Sequence, residues 1–261
     1  MEERTTKEFY NDFLESRMIE YRIKGNERID KALETISKYT TEGCNVFDAG
    51  CGIGLASEQV SKIIGDNGKI WACDLSDKNI WYANKTIQKK NITFFEADLI
   101  NDQQEILNTI PKNTIDVIYL VDVIEHIPID AHEIVFNIFK KLLNGESYII
   151  LTYPSPQFQK YLKENKQEEL QIIDQIIELD HILEIAKKYD LSIQHYSLEK
   201  VWNTHNQYVH CVLQTDSSLR TDTKDKVGII KKIQKRLKWE WNKKVIYPYR
   251  RAKYVNSIFQ D

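Results

Sequence analysis

With 261 residues, 42% of them hydrophobic and 29% charged, the chain is long enough for one large α/β domain with appendages and too apolar for a chain that stays disordered. Its formal net charge of −3 hides an asymmetry: residues 220–261 carry thirteen Lys or Arg against four Asp or Glu, a local +9, which leaves −12 elsewhere and does not favour nucleic acid as the main partner. No apolar run approaches the roughly 20 residues of a membrane span, the polar start lacks a signal-like apolar region, and Cys44, Cys51, Cys73 and Cys211 show no CxxC or metal-ligand spacing, so a cytoplasmic protein with reduced thiols is expected.

Residues 1–40 read as a helical cap or lid, because Phe9, Phe13 and Leu14, then Ile29, Ala32, Leu33 and Ile36, recur at helical spacing. Over residues 41–215, β-type runs at 45–49, 69–74, 92–96, 115–121 and 147–153 alternate with helical stretches at 55–64, 77–89, 103–109 and 130–143. That alternation predicts a parallel sheet with helices on both faces. Pro154 and Pro156 then break the rhythm. Residues 158–189 read as helix in two pieces, and 191–198 and 207–214 as final strands joined by a loop, an antiparallel pair. The segment 216–261 reads as a separate basic tail, with Ile229, Ile230, Ile233 and Leu237 on one helical stripe, Trp239 and Trp241 beyond it, and Pro248 limiting any helix. It suits self-association or packing on the domain, peripheral contact with an anionic membrane, or contact with RNA phosphates.

The segment Val46-Phe47-Asp48-Ala49-Gly50-Cys51-Gly52-Ile53-Gly54-Leu55 is a strand, a glycine turn and the start of a helix. Glycines there let backbone amides approach a ligand at the carboxyl end of the sheet. Dinucleotide sites share this geometry, but Leu55 stands where their third glycine belongs. Asp48 would repel a pyrophosphate and suits a cation. S-adenosylmethionine carries an ammonium and a sulfonium and no phosphate, so the charge favours it. Asp74, twenty residues beyond Gly54, ends the second strand run, where a carboxylate can accept ribose hydroxyls. Asp98 follows the third and could take an adenine amino group, with the Leu99 backbone amide beside the ring.

These residues resemble a known family. Residues 46–55 are similar to motif I of class I S-adenosylmethionine-dependent methyltransferases, Asp74 to the acid after the second strand, and Ala97-Asp98 to the adenine-binding position. Residues 116–127, Asp-Val-Ile-Tyr-Leu-Val-Asp-Val-Ile-Glu-His-Ile, resemble the fourth-strand motif of the small-molecule branch, which includes ubiquinone-type O-methyltransferases. The resemblance spans roughly residues 40–215. It implies a Rossmann-like, mostly parallel seven-stranded sheet with an antiparallel last strand. The cofactor residues it implies are Asp48, Gly50, Gly52, Gly54, Asp74, Leu75, Asp98, Leu99 and Val121.

Methyl transfer needs in-line alignment, and a hydroxyl acceptor benefits from a general base. Asp122, Glu125 and His126 follow the fourth strand, where the methyl group would face them, and His126 is the first candidate base. Its other reading is a ring that braces the loop. A rival site would join Asp122, Glu125, His126 and a later His such as His181 around a divalent ion, as in the small-RNA 3′-end methyltransferases. This chain has Asp122 for the first Glu of that pattern and lacks its adjacent histidine pair, so no metal is expected. Tyr153 is expected in the acceptor pocket. The polar segment 202–208 suits a polyhydroxy ligand or a solvated hairpin tip, and Tyr10, Phe13 and Tyr21 a lid or packing on the sheet. His132, His195 and His210 read as ordinary core or surface histidines. The expected reaction is methylation of a small-molecule acceptor: an oxygen of a sugar, nucleotide-linked sugar or phosphate-bearing intermediate in surface-polysaccharide biosynthesis. An RNA or protein substrate docked by the tail, or a cofactor-binding protein without turnover, are the alternatives.

Overall fold

The computed structural model describes residues 5–13, 19–202 and 206–215. The basic tail, Leu14, residues 203–205 of the polar segment and the side chain of Phe13 lie outside the described residues.

Seven strands form one sheet: β1 (Asn45–Ala49), β2 (Lys69–Asp74), β3 (Ile92–Glu96), β4 (Ile115–Val121), β5 (Leu143–Pro154), β6 (Leu191–Glu199) and β7 (Tyr208–Thr215). Their order is β3-β2-β1-β4-β5-β7-β6. The first five pair in parallel, and β7 runs antiparallel to both β5 and β6. The last strand in sequence is therefore inserted beside β5, and β6 takes the edge.

Before the sheet come α1 (Thr6–Phe13), α2 (Ile19–Lys24) and α3 (Glu27–Tyr39); between strands lie α4 (Leu55–Ile64), α5 (Asp77–Thr86), α6 (Gln103–Thr109), α7 (His132–Leu142), α8 (Pro156–Asn165) and α9 (Leu179–Lys188). Ile36 of α3, Val60 of α4 and Ile80 of α5 pack with Val46, Val117 and Tyr119 on one face of the sheet. Ile106, Phe139 and Ile182 of α6, α7 and α9 pack with Phe47 and Ile118 on the other. With both faces covered, β4 is apolar along nearly its whole length, which is why it reads as one buried run.

Several boundaries differ from the sequence reading, among them the 77–89 helix, which ends at Thr86, and two of the differences have a local reason. The two helical pieces expected over 158–189 are α8 and α9, but a long stretch without α-helix separates Asn165 from Leu179, because the chain between is drawn onto another loop: Gln175 N–H donates to the Glu125 carbonyl at 2.7 Å. β5 starts at Leu143 rather than 147, and its register against β4 then shifts between Leu143 and Tyr148, where the Ser147 hydroxyl donates to the Ile115 carbonyl at 3.0 Å.

Consecutive connections leave β1 for β2 on one side and return to β4 on the other. The crevice at the carboxyl ends of β1 and β4 is the switch point where open α/β sheets bind ligands.

Candidate active site

A cavity of about 400 Å³ opens at this switch point. Asp48, Gly50, Gly52, Asp74, Leu75, Asp98, Leu99, Val121, Asp122 and His126, all expected from the sequence, line it.

The glycine turn forms its floor. Gly50 has φ +85°, and a Cβ there would lie 2.5 Å from Val123 Cγ2, so the loop packs against the turn after β4 only because residue 50 lacks a side chain. Gly54 departs from expectation. It caps α4 with φ +78°, and a Cβ on it would meet Ile87 and Phe94, not the cavity. Its role is helix-to-strand packing behind the loop.

Three carboxylates stand at successive strand ends. Asp48 is buried, and its Oδ2 accepts from the hydroxyls of Ser57 and Tyr119, the latter at 2.9 Å. Burial nevertheless pushes its pKa up to about 7. Asp74 binds the loops together: Oδ2 accepts from Gly52 N–H at 2.8 Å, and Oδ1 from Ser76 N–H at 2.9 Å and Asn79 Nδ2 at 3.0 Å. Burial raises its pKa against those donors. Asp98 accepts from Ile100 N–H and Asn101 Nδ2, both at 2.7 Å.

The opposite wall holds the groups able to do chemistry. Asp122 has φ +57°, a left-handed backbone that Asp tolerates better than most residues. Its Oδ2 lies 3.0 Å from Arg28 Nη1, and its Oδ1 accepts from Thr152 Oγ1 at 3.3 Å. Burial raises its pKa more than the Arg28 charge lowers it.

Arg28, which the sequence reading passed over, donates from the same Nη1 to Tyr208 Oη at 3.0 Å and is surrounded by the rings of Tyr21, Trp202 and Tyr208, 5.6–5.9 Å from the guanidinium carbon. No local pattern marks it, because its site is assembled from α2, α3, β4 and the β6–β7 connection.

His126 sits in a short 3-10 turn, Ile124–His126. Its Nδ1 donates to the Ile173 carbonyl at 2.7 Å, and burial lowers its pKa below the usual imidazole value. The neutral ring therefore carries its proton on Nδ1 and leaves Nε2 as an acceptor. Glu125, beside it, is buried; burial and then the nearby Asp122 charge hold its carboxyl well above the usual range. Tyr10 and Tyr21 line the cavity from the N-terminal helices, with the Tyr10 ring 6.3 Å from that of His126.

Tyr153 does not line the cavity. On β5 it faces the core with Leu151 and Ile149, fully buried, because strand alternation sends Thr152, not Tyr153, toward Asp122. The histidines sort out by partner. His181 Nε2 pairs with His132 Nδ1 at 2.8 Å, while His132 Nε2 donates to the Ile124 and Ile127 carbonyls at 3.0 Å. His181 thus belongs to His132 and not to a set with Asp122, Glu125 and His126. Among the described residues, no group of three or more His, Cys, Asp or Glu is arranged to hold a metal ion. His210 bonds Thr35 Oγ1 at 2.8 Å in the core, and His195 bonds Ser197 Oγ at 2.9 Å.

Comparison with known proteins agrees with this geometry. A family model described as a methyltransferase domain matches residues 40–190. No curated protein matches the sequence. Among solved structures, the magnesium protoporphyrin IX methyltransferase of Synechocystis PCC 6803 with bound SAH is similar at TM-score 0.61 and 16% identity, over 80% of this chain and 97% of that one. A SAM-dependent methyltransferase from Anabaena variabilis gives 0.61 and 15%, over 82% and 96%. A chain from the complex between the Haloferax volcanii Trm112 methyltransferase activator and a methyltransferase gives 0.65 and 13%, over 80% and 96%. At such identities the likeness is one of fold.

Proposed function

Because the chain belongs to the methyltransferase-domain family and is an S-adenosylmethionine-dependent methyltransferase, we propose that the cavity holds that cofactor against a hydroxyl acceptor deprotonated by His126.

The lining fits the cofactor by charge. Among the described residues, four Asp carboxylates line the cavity against a single Lys or Arg, Arg28, which is already paired with Asp122. A pyrophosphate would meet net repulsion there, and a ligand with an ammonium and a sulfonium would not. In this reading Asp74 takes the ribose hydroxyls, Asp98 and the Leu99 amide the adenine, and Leu75, Leu99 and Val121 flank the rings. The floor of Gly50 and Gly52 lies next to the amino-acid portion, with Asp48 behind it.

The observation that carries the acceptor chemistry is the tautomer of His126. A ring locked with Nδ1–H on the Ile173 carbonyl presents an Nε2 lone pair, and burial keeps the ring neutral near pH 7. It can take a hydroxyl proton as the oxygen attacks. The cofactor supplies a methyl on an electron-poor sulfur; as the new carbon–oxygen bond forms, the carbon–sulfur bond breaks and its electron pair stays with sulfur. The N-terminal helices exclude water through Tyr10 and Tyr21.

The acceptor is a small molecule rich in hydrogen-bond donors. Gln171 lines the cavity with its Oε1 buried and unpartnered, His126 offers Nε2, and Asp122 offers its carboxylate. A sugar or nucleotide-linked sugar on the way to a surface polysaccharide suits that wall. With Arg28 compensated, no cation among the described residues is left free inside the cavity for a phosphate, so a phosphate group of such an acceptor would remain outside it.

Calorimetric titration with S-adenosylmethionine and, separately, NADH tests the cofactor assignment; preference for NADH would sink it. Release of S-adenosylhomocysteine is then measured with sugars and nucleotide sugars. His126→Ala should lower kcat with the productive acceptor by roughly 10²–10⁴-fold and leave cofactor affinity unchanged. Retention of full activity would remove His126 from the chemistry.

A further inference from the structure

Behind His126 lies a stretch that belongs to no helix or strand. Residues 170–178, between a 3-10 turn at Gln167–Glu169 and α9, are joined to the His126 turn at two points. One is Gln175 N–H to the Glu125 carbonyl, at 2.7 Å. The other is His126 Nδ1 to the Ile173 carbonyl, also at 2.7 Å. Between them, Asp174 places Oδ1 3.3 Å from the same Nδ1, while its Oδ2 accepts from Gln171 N–H at 2.5 Å, which holds the carboxylate in place. Both side chains are about one-tenth exposed.

We infer that Asp174 is a positioning residue for His126: it helps fix the proton on Nδ1 and stabilises the imidazolium formed when Nε2 takes the acceptor's proton. The inference rests on the proposed base role of His126.

The proton count is simple. A neutral imidazole has one N–H, and a carbonyl and a carboxylate can only accept, so that proton sits on Nδ1. The acceptor's hydroxyl proton then moves to Nε2, giving a cation with two N–H groups. It is released to water when the product leaves. A positive charge beside a carboxylate in a buried site is held more strongly than in water.

The other groups facing the ring do not replace Asp174. Glu125 Oε1 is 3.8 Å from Nε2, and burial, then the Asp122 charge, pushes that carboxyl toward its neutral form. Asp122 and Arg28 oppose one another across 3.0 Å, and their effects on the imidazole have opposite sign. Tyr10 is held un-ionised by burial. Among the described residues, Asp174 is the carboxylate whose charge reaches the imidazole without a paired cation.

Asp174→Asn tests this, because it keeps an oxygen for the Gln171 amide and removes the charge. By NMR, the His126 imidazole of the full chain should titrate at lower pH than in the unmodified protein. The acid limb of kcat/KM should move the same way, and kcat should fall on the order of tenfold or more, with S-adenosylmethionine affinity unchanged. Asp174→Glu, which restores the charge, should return the titration toward its original position. An unmoved imidazole titration, even with a lower kcat at every pH, would reduce Asp174 to a structural residue and overturn the inference. A shifted titration with unchanged kcat would instead refute the base role of His126, the reading beneath it. If Asp174→Asn fails to fold, the Glu variant and the tautomer read from the ring nitrogens of the original protein decide: a proton on Nε2 overturns the inference.

Discussion

The Arg28 guanidinium meets the Asp122 carboxylate at 3.0 Å, tying the first turn of α3 to the residue that follows β4. Both are mostly buried, and Tyr208 Oη accepts from the same Arg28 nitrogen at 3.0 Å. The pair fixes the wall of the cavity opposite the glycine loop.

Removing one partner should hurt more than removing both. Arg28→Ala strands a buried carboxylate and should destabilise the fold by about 3–5 kcal/mol in urea denaturation. Arg28→Lys should recover little, because an ammonium lacks the planar face that sits among the rings of Tyr21, Trp202 and Tyr208 while Nη1 bonds Asp122. The double variant Arg28→Ala/Asp122→Asn should regain a large part of the loss. Simple additivity of the single variants would show that the two residues are not coupled.

Asp74 should govern cofactor binding through the loops it joins as well as through direct contact. Its three donors, Gly52 N–H, Ser76 N–H and Asn79 Nδ2, lose their acceptor in Asp74→Ala. Hydrogen bonds to a charged group contribute about 1.5–3 kcal/mol each, so affinity for S-adenosylmethionine should fall at least about tenfold by calorimetry. Unchanged affinity would place the ribose elsewhere.

Much of this was legible in the sequence, and the exceptions have a common cause. The strands at 45–49, 69–74, 92–96 and 115–121 coincide with the structure because each is a short apolar run closed by Gly, Asp or a turn. Asp74 and Asp98 could be placed because a strand end fixes where a side chain goes. Tyr153 was misplaced by one residue of strand alternation: Thr152 faces Asp122 and Tyr153 faces the core. Gly54 was grouped with its neighbours, yet its missing Cβ makes room for Ile87 and Phe94, which no spacing reveals. Arg28, Gln171 and Asp174 escaped altogether. Each comes from a segment distant in sequence, and only the assembled sheet brings them to His126 and Asp122.

Gly50 should tolerate no side chain. Gly50→Ala forces a Cβ against Val123 and keeps a left-handed φ of +85°, which alone costs an L-residue about 1–2 kcal/mol. A lowered melting temperature and weakened cofactor binding are expected together. Adding Val123→Ala should relieve the contact but not the backbone strain, so recovery should be partial. Complete recovery would mean that the left-handed conformation is not required.

Asp48 should make stability depend on pH in a direction opposite to most carboxylates. Burial pushes its folded pKa up to about 7, above the value of about 3.9 for an unfolded Asp. Between those limits the folded protein retains a proton that the unfolded chain has released, so the Asp48 contribution to stability falls as pH rises through about 4 to 7, then levels off. Asp48→Asn removes that titration while keeping an oxygen toward Ser57 and Tyr119. The stability of the Asn variant relative to the original should therefore increase across the window, by at most about 4 kcal/mol. Urea denaturation of the cofactor-free protein between pH 4.5 and 7.5 measures it. Parallel stability curves would mean that Asp48 is ionised throughout. Saturating S-adenosylmethionine, by placing a cation in the same cavity, should favour the charged carboxylate and flatten the difference, which links the buried acid to the ligand its wall was read to accept.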